Sequence, residues 1–299
     1  VNSPQSHSAE PTRRASNRQA GLILLMALLL AGGFSLFSCF PCWRAELAET
    51  NYQANMVRLQ GFLFDSPPQA LLVGSSISGR LLPSYFDATP LGKVGNLGLD
   101  GSSPTLGLEL AARRSAPLIL LEANLLLKSN TPNDVLLAEA VASPGFRLGR
   151  YLPFMRAQAR PSSVLYTWMR SRRSGTVTLS ATNAGRAVED VVRPVELTDG
   201  LTNGPVQDRL REEIRGLLEK KSEVVIVRIP STIQGPTDTN FVFGDVLARE
   251  FNLRRLDLPA ECARRGLALS FSDGIHLTPD SARQVSRVLA ELAARSGKD

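Results

Sequence analysis

The sequence predicts an α/β protein: a three-layer α/β/α sandwich on a mostly parallel five-stranded sheet, with a transmembrane helix ahead of it. Strand-length apolar runs recur, as in Ala70-Leu71-Leu72-Val73, Leu118-Ile119-Leu120-Leu121 and Val224-Val225-Ile226-Val227. Segments with apolar residues at helical spacing lie between and after them, and this alternation is the pattern of parallel strands joined by crossover helices. The stretch from Ala20 to Phe40 carries no charge at all, and about twenty uncharged residues span a bilayer as a helix.

Residues 1–19 are polar and hold Arg13, Arg14 and Arg18, so they read as a cytoplasmic tail. Residues 20–42 form the anchor, and everything after Trp43 is expected outside the cytoplasm. Leu36-Phe37-Ser38-Cys39 is similar to a bacterial lipoprotein cleavage box, with bulky Phe37 where a small residue is usual; the alternative to an uncleaved anchor is therefore a lipoprotein held at Cys39. Cys39, Cys42 and Cys262 permit a disulfide without implying one. Residues 43–69 read as a stalk, and residues 70–299 as the globular domain, with an insert at about 128–205.

The domain opens on the run from Ala70, which ends in Gly74-Ser75-Ser76-Ile77-Ser78-Gly79. This reads as a buried strand whose C-terminal end opens into a loop, the place where open α/β sheets bind ligands. Any of the three serines serves equally well as a helix cap. Lys93 to Pro104 has a short strand character followed by a glycine-rich turn, whose glycines let backbone approach closely, and Pro104 opens a helix through Ala112. The third strand, Leu118 to Leu125, ends near Asn124, a buried amide that must either cap backbone or aim into the cleft.

In the insert, Asn130 to Val141 and Tyr151 to Arg173 read as helices, the second limited by Pro153 and Pro161. Arg147, Arg150, Arg156, Arg160, Arg170, Arg172 and Arg173 make the insert basic. It reads as a lid, a polymer-binding face, a surface on anionic lipid, or a solvated face without a partner. Gly175 to Gly204 suits a loop or hairpin. A helix from Gln207 to Lys220, a strand from Glu223 to Pro230, a helix from Phe241 to Phe251 and a strand from Leu253 to Leu258 follow. The last helix, Pro279 to Ala294, turns Val285, Val288, Leu289 and Leu292 inward.

Composition narrows the function less. With 43% hydrophobic and 21% charged residues the chain is globular, and its +6 charge suits nucleic acid, anionic lipid or an acidic polymer alike. No zinc-type array or nucleic-acid module accompanies the charge, so no nucleic-acid partner and no metal or other cofactor is expected. The informative stretch is Ser272-Asp273-Gly274-Ile275-His276-Leu277-Thr278-Pro279-Asp280, which contains one of only two histidines. Thr278 to Asp280 are explained as a helix entry. Asp273 and His276 are not, and a carboxylate three residues before a histidine can orient the ring and leave its other nitrogen as a base.

Taken together, Gly74-Ser75-Ser76, Gly98 in an Asn-x-Gly turn, Asn124, and Asp273-x-x-His276 before the last helix resemble the SGNH hydrolases, the GDSL-type esterases. The likeness covers roughly Ala70 to Asn124 and Leu253 to Ala294. It implies a flavodoxin-like fold with Ser76 as nucleophile, His276 as base and Asp273 as its orienter. The oxyanion hole would combine the Ser76 and Gly98 backbone N–H groups with the Asn124 side chain. Ser75 stands where the family has aspartate, and Glu122 and Leu125 where glycine and aspartate commonly flank the asparagine. The resemblance implies a serine esterase or O-acyltransferase in the bacterial periplasm, tethered to the inner membrane and acting on acyl, chiefly acetyl, esters of envelope or exported polysaccharide. A lipid esterase or thioesterase, and a non-catalytic envelope assembly factor, are the alternatives.

Overall fold

The computed structural model describes residues 10–38, 40, 45–114, 116–172, 203–232 and 238–295. Five strands, β1 (Ala70–Ser75), β2 (Val94–Leu99), β3 (Leu118–Glu122), β4 (Glu223–Arg228) and β5 (Arg254–Asp257), form one sheet in the order β2-β1-β3-β4-β5. Every neighbouring pair is parallel, with Ala70 opposite both Val94 and Leu118, Leu118 opposite Glu223, and Val225 opposite Arg254. The chain therefore leaves β1 toward one edge, returns to β3 on the other side, and opens a crevice beyond the C-terminal end of β1.

Both sheet faces are buried because successive side chains on a strand point opposite ways and both sets are apolar. Leu71, Val73, Ile119, Leu121 and Ile226 pack on one face against α2 (Asn51–Phe64), α3 (Pro104–Arg113), α7 (Pro205–Glu219) and α8 (Thr239–Glu250). Leu72, Leu120, Val225 and Val227 pack on the other face, against Phe86, α9 (Leu258–Arg264) and α10 (Pro279–Ala294). In α7 the residues Leu210, Ile214 and Leu217 recur at four- and three-residue spacing, which gathers them into one buried stripe. In α10 Val285, Val288 and Leu289 are buried and Leu292 partly so.

The insert builds α4 (Pro132–Ala142), α5 (Pro144–Leu148) and α6 (Pro161–Arg172). Thr131 and Asp134 close a capping box at the start of α4, and Pro132 takes the first turn, where no backbone donor is needed. The single helix expected from Tyr151 to Arg173 is instead two short 3-10 turns, 153–155 and 157–159, followed by α6. Pro153 and Pro161 each begin a turn, as the missing N–H dictates. The loop or hairpin expected from Gly175 to Gly204 lies almost wholly outside the described residues. The helix α9, not expected from the sequence, is only seven residues long and starts where the Asp257 carboxylate accepts the Ala260 N–H at 3.0 Å.

The stalk reading of residues 43–69 requires correction. α2 occupies this segment and buries Leu59 and Phe62 against the sheet, with Asn55 and Arg58 buried beneath the ends of β1 and β2. Ahead of it, α1 (Glu10–Ser38) includes a stretch, residues 18–38, that is largely exposed and long and apolar enough to cross a membrane, a property that membrane spans share with signal sequences.

Candidate active site

Ser76 follows β1 at the crevice where the strand order reverses. Its turn, residues 75–81, is clamped from both neighbouring strands. From β2, Asn96 donates to the Ser78 and Leu81 carbonyls at 2.9 and 2.8 Å. From β3, the Glu122 carboxylate accepts the Ser75 and Ser78 N–H groups at 2.8 and 3.0 Å and the Ser75 hydroxyl at 2.6 Å. Ser75 and Ser78 thus turn inward as structural hydrogen-bonding residues, and Ser76, between them, is partly exposed. Gly74 is required here, since a Cβ on it would meet the Glu122 side chain at 2.5 Å.

From below, Arg58 of α2 donates to the Gly98 and Gly79 carbonyls at 2.6 and 3.1 Å and lies 3.3 Å from the Asp100 carboxylate. Asn55 pairs with the Asp100 backbone in both directions, at 2.9 and 2.7 Å. Burial pushes the Arg58 pKa down, opposed by the Asp100 charge.

The other half of the site is a tight loop closed by an antiparallel bridge between Phe271 and Leu277 and by the Ser272 N–H donating to the His276 carbonyl at 2.8 Å. Gly274 at its tip has φ +80°, a left-handed conformation that costs glycine nothing. One Asp273 oxygen accepts the Ile275 and His276 N–H groups at 3.1 and 2.8 Å, and the other lies 2.6 Å from His276 Nδ1. Thr278 sits at the start of α10, but its hydroxyl pairs with Ser270 at 2.7 Å rather than capping the helix. Burial tends to raise the Asp273 pKa, but hydrogen bonds from the His276 backbone and ring and from the Ile275 N–H outweigh it and bring it down to about 2.

His276 Nε2 lies 2.9 Å from Ser76 Oγ, across a sequence separation of 200. With Nδ1–H donating to Asp273, Nε2 is the acceptor for the Ser76 hydroxyl. Hydroxyl, imidazole and carboxylate therefore form one hydrogen-bonded line at the C-terminal rim of the sheet. Such a line can lower the cost of using a serine oxygen as a nucleophile.

The remaining expected residues are close to this rim but engaged with the protein itself. Gly98 is a strand residue of β2 opposite Gly74, not part of a turn, and its N–H donates to Asn96 Oδ1 at 2.6 Å. A Cβ there would lie 2.3 Å from the Gly79 nitrogen, so this glycine allows the turn after β1 to settle on β2. The turn itself comes at Gly101, with φ +75°, following Asp100, and the Asp-Gly pair was its sequence signal. Asn124 is fully buried and pairs with the Ile229 backbone, accepting its N–H and donating to its carbonyl, both at 2.9 Å. It also borders a cavity of about 240 Å³ lined by Ile229, Pro230, Phe241, Leu269 and Phe271. Sequence reasoning missed Glu122, Asn55 and Arg58 as organisers; a glutamate inside the apolar run of β3 was the one visible signal.

Compared with known proteins, the chain matches no protein-family model and no curated protein sequence.

Proposed function

We propose that the chain is a membrane-tethered serine esterase or O-acyltransferase that works through Ser76, His276 and Asp273 on acyl, chiefly acetyl, esters of envelope or exported polysaccharide. The observation that carries the reading is the hydrogen-bonded line of 2.9 and 2.6 Å from Ser76 through His276 to Asp273. The strand order, with helices on both faces, supports the finer assignment of a three-layer flavodoxin-like sandwich. The polysaccharide assignment rests on the resemblance to SGNH hydrolases and on the basic insert. Arg13, Arg14 and Arg18 ahead of the apolar stretch support a single span with the N-terminus in the cytoplasm and the domain in the periplasm.

In this reading Ser76 Oγ attacks the ester carbonyl as His276 Nε2 takes its proton, and Asp273 holds the ring and stabilises the imidazolium. Collapse of the tetrahedral intermediate breaks the bond to the leaving alkoxide, which receives the proton from Nε2. Water, or a sugar hydroxyl, then takes the acyl group from Ser76 by the same steps in reverse. The oxyanion is met by the Ser76 backbone N–H. Service by Gly98 requires sharing its single N–H, already given to Asn96, whereas the Asn124 side-chain amide gives one N–H to Ile229 and carries a second.

Labelling of the full chain by a serine-directed fluorophosphonate, in detergent, tests the reading. Activated Ser76 gives rapid labelling that Ser76→Ala abolishes; labelling that survives this substitution sinks the proposal. Supplying an activated acetyl ester with and without polysaccharide then separates hydrolysis, which yields acetate alone, from transfer.

A further inference from the structure

We propose that the face formed by residues 148–169 docks into the headgroup layer of an anionic phospholipid bilayer, the same membrane that α1 enters. The proposal rests on the reading of α1 as a retained span, and it is independent of the esterase chemistry.

Large apolar side chains exposed outside α1 are concentrated in this short region. Leu148, Tyr151, Leu152, Met155, Leu165 and Trp168 are all exposed, Tyr151 at 75% and Trp168 at 50%. A soluble face rarely gathers so many, and a cluster of this kind marks a binding surface. Tyrosine and tryptophan suit the boundary between water and hydrocarbon, since each has an apolar body and a polar tip.

The charge is equally one-sided. Residues 144–173 contain seven arginines and neither aspartate nor glutamate. Arg156 is buried and paired with Asp65 at 2.6 Å, so it belongs to the fold. Arg147, Arg150 and Arg160 are exposed, and Arg150 lies 6.0 Å from the ring centre of its neighbour Tyr151. Apolar anchors interleaved with arginine are what an amphipathic surface needs to sit in an anionic headgroup layer.

Position selects the membrane over any other occupant. Phe34, near the end of α1, meets Phe154 edge-on at 6.3 Å between ring centres. The chain that follows α1 is stitched to the same face: Ala45 N–H donates to the Gln158 carbonyl at 2.9 Å, the Thr167 hydroxyl to the Leu47 carbonyl at 3.1 Å, and the Ser162 hydroxyl to Glu49 at 2.9 Å. The patch is thereby held beside the point where a membrane-spanning α1 would emerge.

The two tryptophans provide the test, because Trp43 directly follows the apolar stretch in sequence and Trp168 lies in the patch. The full chain is placed, one copy per disc, in phosphatidylcholine–phosphatidylglycerol nanodiscs whose lipids are brominated near the top of the acyl chains. In Trp43→Phe, Trp168 emission should fall about twofold or more relative to unbrominated lipid, and the loss should weaken when phosphatidylglycerol is omitted. An unquenched Trp168 alongside a quenched Trp43 in Trp168→Phe overturns the docking face and leaves the span intact. If neither tryptophan is quenched, the span itself fails and the proposal with it. Quenching that is no weaker without phosphatidylglycerol overturns the role given to the arginines. In discs loaded with two copies, a cross-link between chains that depends on Leu165→Cys, with Trp168 unquenched, assigns the face to a second copy and likewise overturns the proposal.

Discussion

The buried carboxylate of Glu122 offers the sharpest test of how the site is built. It accepts two backbone N–H groups and one hydroxyl, all from residues 75–78, at 2.6 to 3.0 Å, and it is 1% exposed. Removing it in Glu122→Ala strands the Ser75 and Ser78 amides, each at about 1–3 kcal/mol. The Ser75 hydroxyl can rotate, and water can enter the vacated space, so a loss of about 3 kcal/mol is expected, a large part of a total stability of about 5–15 kcal/mol. Glu122→Gln keeps the shape. Its amide oxygen can still accept both N–H groups, while its NH₂ faces a Ser75 hydroxyl that already accepts the Ile77 N–H at 3.2 Å. Loss of charge assistance there should cost only about 1–2 kcal/mol. Because Ser76 lies inside the clamped turn, Glu122→Gln should slow fluorophosphonate labelling per folded molecule more than it lowers the denaturation midpoint. Urea unfolding in detergent and labelling rates measure the two separately. An alanine variant within about 0.5 kcal/mol of the parent would refute the clamp, and a glutamine variant labelled at the parent's rate would refute its link to Ser76.

Two further outcomes follow from the geometry. Asn124→Ala removes both hydrogen bonds to the Ile229 backbone and should cost about 2 kcal/mol or more, read from urea unfolding. If Asn124 also serves an oxyanion, ester turnover per folded molecule should drop about a hundredfold besides; unchanged turnover per folded molecule would make it purely structural. Asp273, held at a pKa of about 2 against an ordinary value of 3.8, contributes stability that is complete above pH 4 and disappears as pH falls through 2. The stability difference between the parent and Asp273→Asn should therefore shrink across that window. A difference that stays constant down to pH 2 would contradict the hydrogen bonds assigned to this carboxylate.

Much of the architecture was legible because its signals are local. Ala70 to Val73, Leu118 to Leu121 and Val224 to Val227 are continuous apolar runs of strand length, and only a sheet covered on both faces hides such runs. The spacing of Leu210, Ile214 and Leu217 required a helix lying on a core. Likewise Asp273 and His276 lie three residues apart, so their pairing needed only a loop with a glycine at its tip. Misreadings arose where burial is decided by distant partners. Asn55 and Arg58 look like the polar face of a stalk until Gly98 and Asp100, some forty residues later, supply their hydrogen bonds.

By itself, then, the sequence determined the class of fold, the stretch capable of crossing a membrane, and the residue types that a hydroxyl–imidazole–carboxylate line needs. Only the tertiary structure decided which of Ser75, Ser76 and Ser78 turns its hydroxyl to His276, since neighbours in one turn differ only in direction: the Ser75 hydroxyl goes to Glu122 and the Ser78 hydroxyl to the Ser75 carbonyl. It likewise decided that the Gly98 N–H goes to Asn96 and that Asn124 pairs with Ile229. Hydrogen-bond direction depends on where neighbouring strands bring their side chains, and no periodicity along one strand carries that information.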